Sequence, residues 1–166
     1  MDFDTLYSGV RKESTLESFR VLSFDPGETT GVCLLVREEG HTKLAMRGQL
    51  NTKDLKNGPN ELLHMVENTQ PTFVVFEDYK VYGWKAKNHA WSELHTPKLI
   101  GALEYILNSR DIPFTKQSAQ QGKSFCKDEK LKEWGFYVAG LKHSMDAVRH
   151  ACQAVLFNKH PYFTER

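Results

Sequence analysis

No stretch of this chain approaches the roughly 18 consecutive apolar residues of a membrane span. Its first residues, Met1-Asp2-Phe3-Asp4, are acidic with no apolar run behind them, so a secretory signal is not expected. Cysteine is scarce. Cys33, Cys126 and Cys152 are odd in number, far apart and outside any Cys-x-x-Cys pair. That predicts free thiols in a reducing compartment, cytoplasmic (a host's, for a phage protein) or organellar, and argues against a zinc cluster. Charge of one sign is not in surplus either: 22 Lys and Arg against 21 Asp and Glu leave a net +1. Any contact with nucleic acid must therefore rest on local clustering. Repeats and low-complexity tracts are absent. What remains is an ordinary balance, 40% apolar and 26% charged over 166 residues, which predicts one soluble domain with a real core.

The chain is organised around Val21-Leu22-Ser23-Phe24-Asp25-Pro26-Gly27-Glu28-Thr29-Thr30-Gly31-Val32. Two short apolar runs flank a turn, which reads as a hairpin over 20–25 and 30–37. Asp25 then stands at a strand end, and Pro26, Gly27 and Gly31 let backbone approach whatever that carboxylate holds. Residues 42–50 alternate as a half-buried third strand. Leu62, Leu63 and Val66 predict a helix over 61–68. Thr72-Phe73-Val74-Val75-Phe76 reads as a strand covered on both faces and ending in Glu77-Asp78, parallel to the first.

Residues 79–95 form a polar, aromatic loop. Thr96-Pro97 predicts a helix start, with Leu99, Ile100, Leu103, Ile106 and Leu107 on its inner face. Ile112-Pro113-Phe114-Thr115 is a short last strand. The final helix opens near Ser144 and buries Val148, Ala151, Cys152, Val155 and Leu156. Residues 1–19 form a leader arm that drapes over the domain or stays loose, 20–160 the domain, and 161–166 a tail.

Acids close two strands expected to be neighbours, and His143-Ser144-Met145-Asp146-Ala147 opens a helix that can pack across them. Residues three apart share a helix face, so His143 and Asp146 can point together. Taken singly, each acid also reads as a solvated or first-turn residue. Clustered, they repel at a low-dielectric edge, and a bound cation relieves that. Hard oxygens with one imidazole suit Mg²⁺ or Mn²⁺, and a pair of such ions hydrolyses phosphodiesters. Between Tyr79 and Lys132 stand ten basic and five acidic residues. Lysines there would meet phosphate, and Tyr79, Tyr82, Trp84 and Trp91 either stack on unpaired bases or anchor a loop.

Phe24-Asp25-Pro26-Gly27…Thr30-Gly31, Glu77 after its strand, and His143-x-x-Asp146-Ala147 together resemble the RuvC family of Holliday-junction resolvases, within the RNase H-like nucleases. Lys116…Gln121-Gly122-Lys123…Lys127 is similar to the basic segment before the family's last helix. The resemblance spans about residues 20–158 and rests on the order of short motifs.

The resemblance implies an α/β fold of the RNase H type, a mixed five-stranded sheet with three antiparallel and two parallel strands, flanked by helices. It implies Asp25, Glu77, His143 and Asp146 as ligands of two Mg²⁺ or Mn²⁺ ions, a homodimer, and branched DNA, the four-way junction, as substrate. DNA contacts are expected from Tyr79, Lys80, Tyr82, Lys85, Lys87, Lys116, Lys123 and Lys127. Three features depart from the family: the leader is extra, the basic segment is poorer in glycine, and Lys80 stands between Tyr79 and Tyr82 where one wedge aromatic is usual.

Three other readings stay open. One is a related nuclease for other branched DNA or RNA–DNA hybrids. Another is a non-catalytic branched-DNA binding module. The third follows from Asp-Pro-Gly-x-Thr-Thr-Gly, which also resembles the phosphate hairpin of the actin-like and sugar-kinase fold. That fold needs a second domain and a second glycine-rich loop.

Overall fold

The apolar run ahead of Asp25 forms strand β1 (Phe19–Asp25), and the run through Val32 lies in β2 (Thr29–Glu38), its antiparallel partner. The computed structural model describes residues 1–80 and 94–165. Strand β3 (His41–Asn51) completes a meander, alternating exposed and half-buried positions as an edge strand with one covered face does. The chain returns through helix α2 (Gly58–Thr69) to β4 (Phe73–Glu77), parallel to β1. Helix α3 (His95–Asn108) leads to β5 (Phe114–Gln117), parallel to β4. The sheet order is β3-β2-β1-β4-β5, the mixed architecture expected from the sequence.

Both faces of the sheet are covered, which is why β4 reads as an unbroken apolar run and β1 is broken before Asp25 only by Arg20 and the buried Ser23. Val21, Phe73 and Val75 point into one layer with helix α6 (Lys142–Phe157), where Val148, Ala151, Cys152, Val155 and Leu156 are all buried. Leu22, Phe24, Val74 and Phe76 point into the other with Leu62, Leu99 and Leu103 of α2 and α3. All three cysteines are buried and free.

Some boundaries differ from expectation. β5 starts two residues late, and Thr96 lies inside the first turn of α3 rather than capping it. The basic segment holds two short helices, α4 (Ala119–Phe125) and α5 (Asp128–Glu133). Ser118 and Gln121 form a reciprocal capping box at the start of α4, a pattern already visible as Ser-x-x-Gln. A last turn, α7 (Pro161–Thr164), follows.

The segment ahead of β1 packs on the sheet's α6 side through a helix, and Phe19 itself is already in β1. Helix α1 (Phe3–Arg11) buries Phe3, Tyr7 and Arg11, spaced four apart on one face. The Arg11 guanidinium donates to the carbonyls of Ala154, Val155 and Asn158 at 2.9, 2.7 and 2.9 Å. These carbonyls belong to the C-terminal end of α6, where a helix lacks backbone partners and favours a cation. Among the described residues, no helix is long and apolar enough to cross a membrane.

Candidate active site

Asp25 and Glu77 are the last residues of β1 and β4. The two strands are parallel neighbours, so both carboxylates leave the same edge of the sheet. Helix α6 brings the other pair. It can lie down there because Gly31, the register partner of Asp25, has no side chain. A β carbon on Gly31 would stand 1.9 Å from the His143 carbonyl oxygen and 2.7 Å from the Ser144 nitrogen. Gly31 was expected to admit a bound ligand; the close approach it allows is instead to α6. Two hydrogen bonds hold that start in place: Ser144 Oγ donates to the Val32 carbonyl at 3.3 Å, and the His143 amide donates to Gln49 Oε1 at 3.2 Å.

Each acid then has a partner. His143 Nδ1 lies 3.0 Å from Asp25 Oδ2. Glu77 Oε2 lies 3.0 Å from His150 Nε2. Asp146 is 6% exposed, with Arg149 Nη1 at 2.6 Å and Lys123 Nζ at 3.5 Å. Arg149 also bridges to Asp128, at the start of α5. Burial pushes the Asp25 carboxyl above the ordinary carboxylate range; the His143 hydrogen bond opposes this, and the charges of Glu77 and Asp146 raise it further. Acids 25, 77 and 146 thus share one electrostatic neighbourhood.

Among the described residues, no three His, Cys, Asp or Glu side chains stand in a group that could hold a metal ion as they are placed. The donor types nonetheless suit a hard divalent cation: three carboxylates and one imidazole from three elements, with the Asp25 carboxyl raised first by burial and then by the charges of Glu77 and Asp146. A cation bound there would reverse that repulsion.

The expected DNA-facing residues distribute unevenly. Tyr79 is half-buried against the α2–α3 core, whereas Lys80 is exposed. Both line a cavity of about 280 Å³ with Glu77, Asp78, Ser118 and Gln120. Lys116 is tied to Glu104 at 2.7 Å, which lifts its ammonium above its usual range. Lys123 sits beside Asp146, and Lys127 is exposed just before α5. Tyr82, Lys85 and Lys87 lie outside the described residues, as do Trp84 and Trp91.

Two residues at the site were missed from sequence, His150 and Arg149. They follow Asp146 by four and three positions, the spacings that share its helix face. That spacing was the available signal.

No protein-family model and no curated protein sequence matches the chain. Solved structures do. The chain is similar to a Thermus thermophilus RuvC structure, at 16% identity over 83% of this chain and 94% of that one, with a TM-score of 0.64. It is also similar to T. thermophilus RuvC in complex with a Holliday junction substrate, at 15% identity, 87% and 98% coverage and a TM-score of 0.67. The yeast mitochondrial Holliday junction resolvase Ydc2 matches at 17% identity, 93% and 85% coverage and a TM-score of 0.54. The fold is the RNase H-like fold of RuvC.

Proposed function

We propose that this chain is a structure-selective endodeoxyribonuclease that cuts phosphodiesters of branched DNA, four-way junctions foremost. The observation that carries this reading is that Asp25 and Glu77 end neighbouring parallel strands, with the Asp25 carboxyl raised chiefly by burial and further by the charges of Glu77 and Asp146. Support also comes from the fold, shared with a RuvC that was seen with a Holliday junction substrate.

Asp25, Glu77, Asp146 and His143 would hold two divalent ions, Mg²⁺ or Mn²⁺. Such ions supply polarisation of the phosphate and a more acidic water. His143 engages Asp25 through Nδ1, which leaves Nε2 for one of two roles: to hold an ion or, instead, to orient the attacking water or take its proton. Lys123, beside Asp146, balances charge that builds on the phosphate oxygens. Lys80 and Lys127 are exposed for phosphate contact, which positions DNA without reading sequence. A C₂ homodimer would supply the two sites that symmetric cutting of a junction needs.

A specific observation favours a second reading, a non-catalytic branched-DNA module: each acid already has a resident partner of its own. Cleavage of a synthetic four-way junction, a duplex, a flap and an RNA–DNA hybrid, with and without Mg²⁺ or Mn²⁺, separates these. The expected result is ion-dependent, junction-selective cutting that Asp25→Asn abolishes while DNA binding persists. Preference for the hybrid moves the assignment to another nuclease of this fold. Junction binding without cutting in either ion selects the module.

A further inference from the structure

His150 is fully buried, yet the chemistry above makes no use of it. Its surroundings are built. Nε2 meets Glu77 Oε2 at 3.0 Å, and Nδ1 meets Gln117 Oε1 at 2.8 Å. Glu77 and Gln117 are register partners on β4 and β5, so one imidazole from α6 bridges the side chains of both strand ends. Gln117 is only 3% exposed. Its amide can turn either its oxygen or its nitrogen toward Nδ1, so a proton on Nε2, directed at Glu77, leaves both ring nitrogens satisfied. The ring also lies flush on Gly122 of α4. A β carbon there would stand 2.7 Å from Cε1 and 2.8 Å from Nδ1.

We infer that His150, gripped between Gln117 and Gly122, is a positioning residue that holds the Glu77 carboxylate ready for divalent-ion binding. This rests on the proposed role of Glu77 as a ligand. Glu77 ends a strand on a flexible side chain, and among the described residues its carboxylate has no other side-chain partner. Fixing one of its oxygens restricts the rotamers that the other can take. Hydrogen bonds of this kind to a ligating group commonly change metal affinity 10–100-fold, roughly, when removed.

The test uses the full chain and two readouts: Mn²⁺ binding by calorimetry without DNA, and the ion concentration that gives half-maximal junction cleavage. His150→Leu and Gly122→Ala should each weaken Mn²⁺ binding by about 10–100-fold. The ion requirement should rise in step, with cleavage recovered at saturating ion. His150→Gln, whose amide can still donate to Glu77, should recover most of the affinity. Gly122→Ala removes no polar group, so it carries the test where His150→Leu does not fold; thermal unfolding establishes which variants are folded. Folded Gly122→Ala and His150→Leu with wild-type Mn²⁺ affinity would overturn the inference, whatever their melting temperatures. Glu77→Gln separates the two levels. If it binds Mn²⁺ like wild type, the ligand role of Glu77 is wrong. If it binds weakly while the other variants bind normally, only the positioning role fails.

Discussion

The α carbon of Gly31 and the carbonyl of His143 are in such contact that a β carbon on Gly31 would lie 1.9 Å from the oxygen. The start of α6, and with it His143 and Asp146, is seated on that bare position. Gly31→Ala forces helix and sheet apart. Overpacking of this kind costs about 1–3 kcal/mol, and roughly 2–4 °C of melting temperature per kcal/mol at this size. Junction cleavage measured well below the transition should fall along with it, because the displaced end carries two of the proposed ligands. A variant with wild-type melting and cleavage would show that α6 does not depend on this contact.

Asp25 has a folded-state carboxyl raised above its ordinary value of 3.8, chiefly by burial. A raised acid binds its proton more tightly folded than unfolded. Its contribution to stability is therefore fully present below about pH 4 and lost as pH rises through the folded value. In metal-free buffer, Asp25→Asn should melt higher than wild type at neutral pH, with the gap closing as pH falls through the folded value and gone by about pH 4. Unfolding scans in chelator across that range check it. Added Mn²⁺ should raise the wild-type melting temperature and leave Asp25→Asn nearly unmoved, since only a bound ion stabilises the native state.

Helix α1 reaches α6 through Arg11, whose three donated hydrogen bonds satisfy carbonyls at its end. Arg11→Ala takes the guanidinium donor from the Val155 and Asn158 carbonyls, while Ala154 keeps the Asn158 amide, for a loss of about 2–4 kcal/mol in urea unfolding. Cleavage per folded molecule should be unchanged, because the damage lies at the opposite end of α6 from the acids. A loss of cleavage without a loss of stability would show the arm acting on the site directly.

Lys127 is exposed and leads into α5. If the basic segment faces DNA, Lys127→Ala should weaken junction binding and reduce the slope of log affinity against log salt by about one. An unchanged slope would place the contact face elsewhere.

What could be read in the sequence follows from how each signal arises. Strand β4 was legible because burial on both faces leaves no polar residue until Glu77, and β1 was legible from Val21, Leu22 and Phe24 in spite of Arg20 and Ser23. The α6 stripe was legible for the same reason, five apolar residues at helical spacing. His150 was not. It stands off that stripe, two positions from both Val148 and Cys152, and only the third dimension shows Glu77 and Gln117 on either side of it. Helix α1 was hidden differently: one of the three residues on its buried face is an arginine, whose partners lie more than 140 positions away. The contact of Gly31 with α6 was hidden because the helix that needs it comes more than a hundred residues later.

Helix α6 is continuous from Lys142 to Phe157, about 24 Å long. It presents His143 and Asp146 at one end, His150 to a second strand in its middle, and carbonyls to Arg11 at the other. Each of these depends on angular phase. One residue inserted or deleted between 143 and 150 would swing everything beyond it by about 100°, parting Asp25's partner from Glu77's. Exchanging one side chain on this segment removes one contact, whereas changing the count of residues between them would remove several at once.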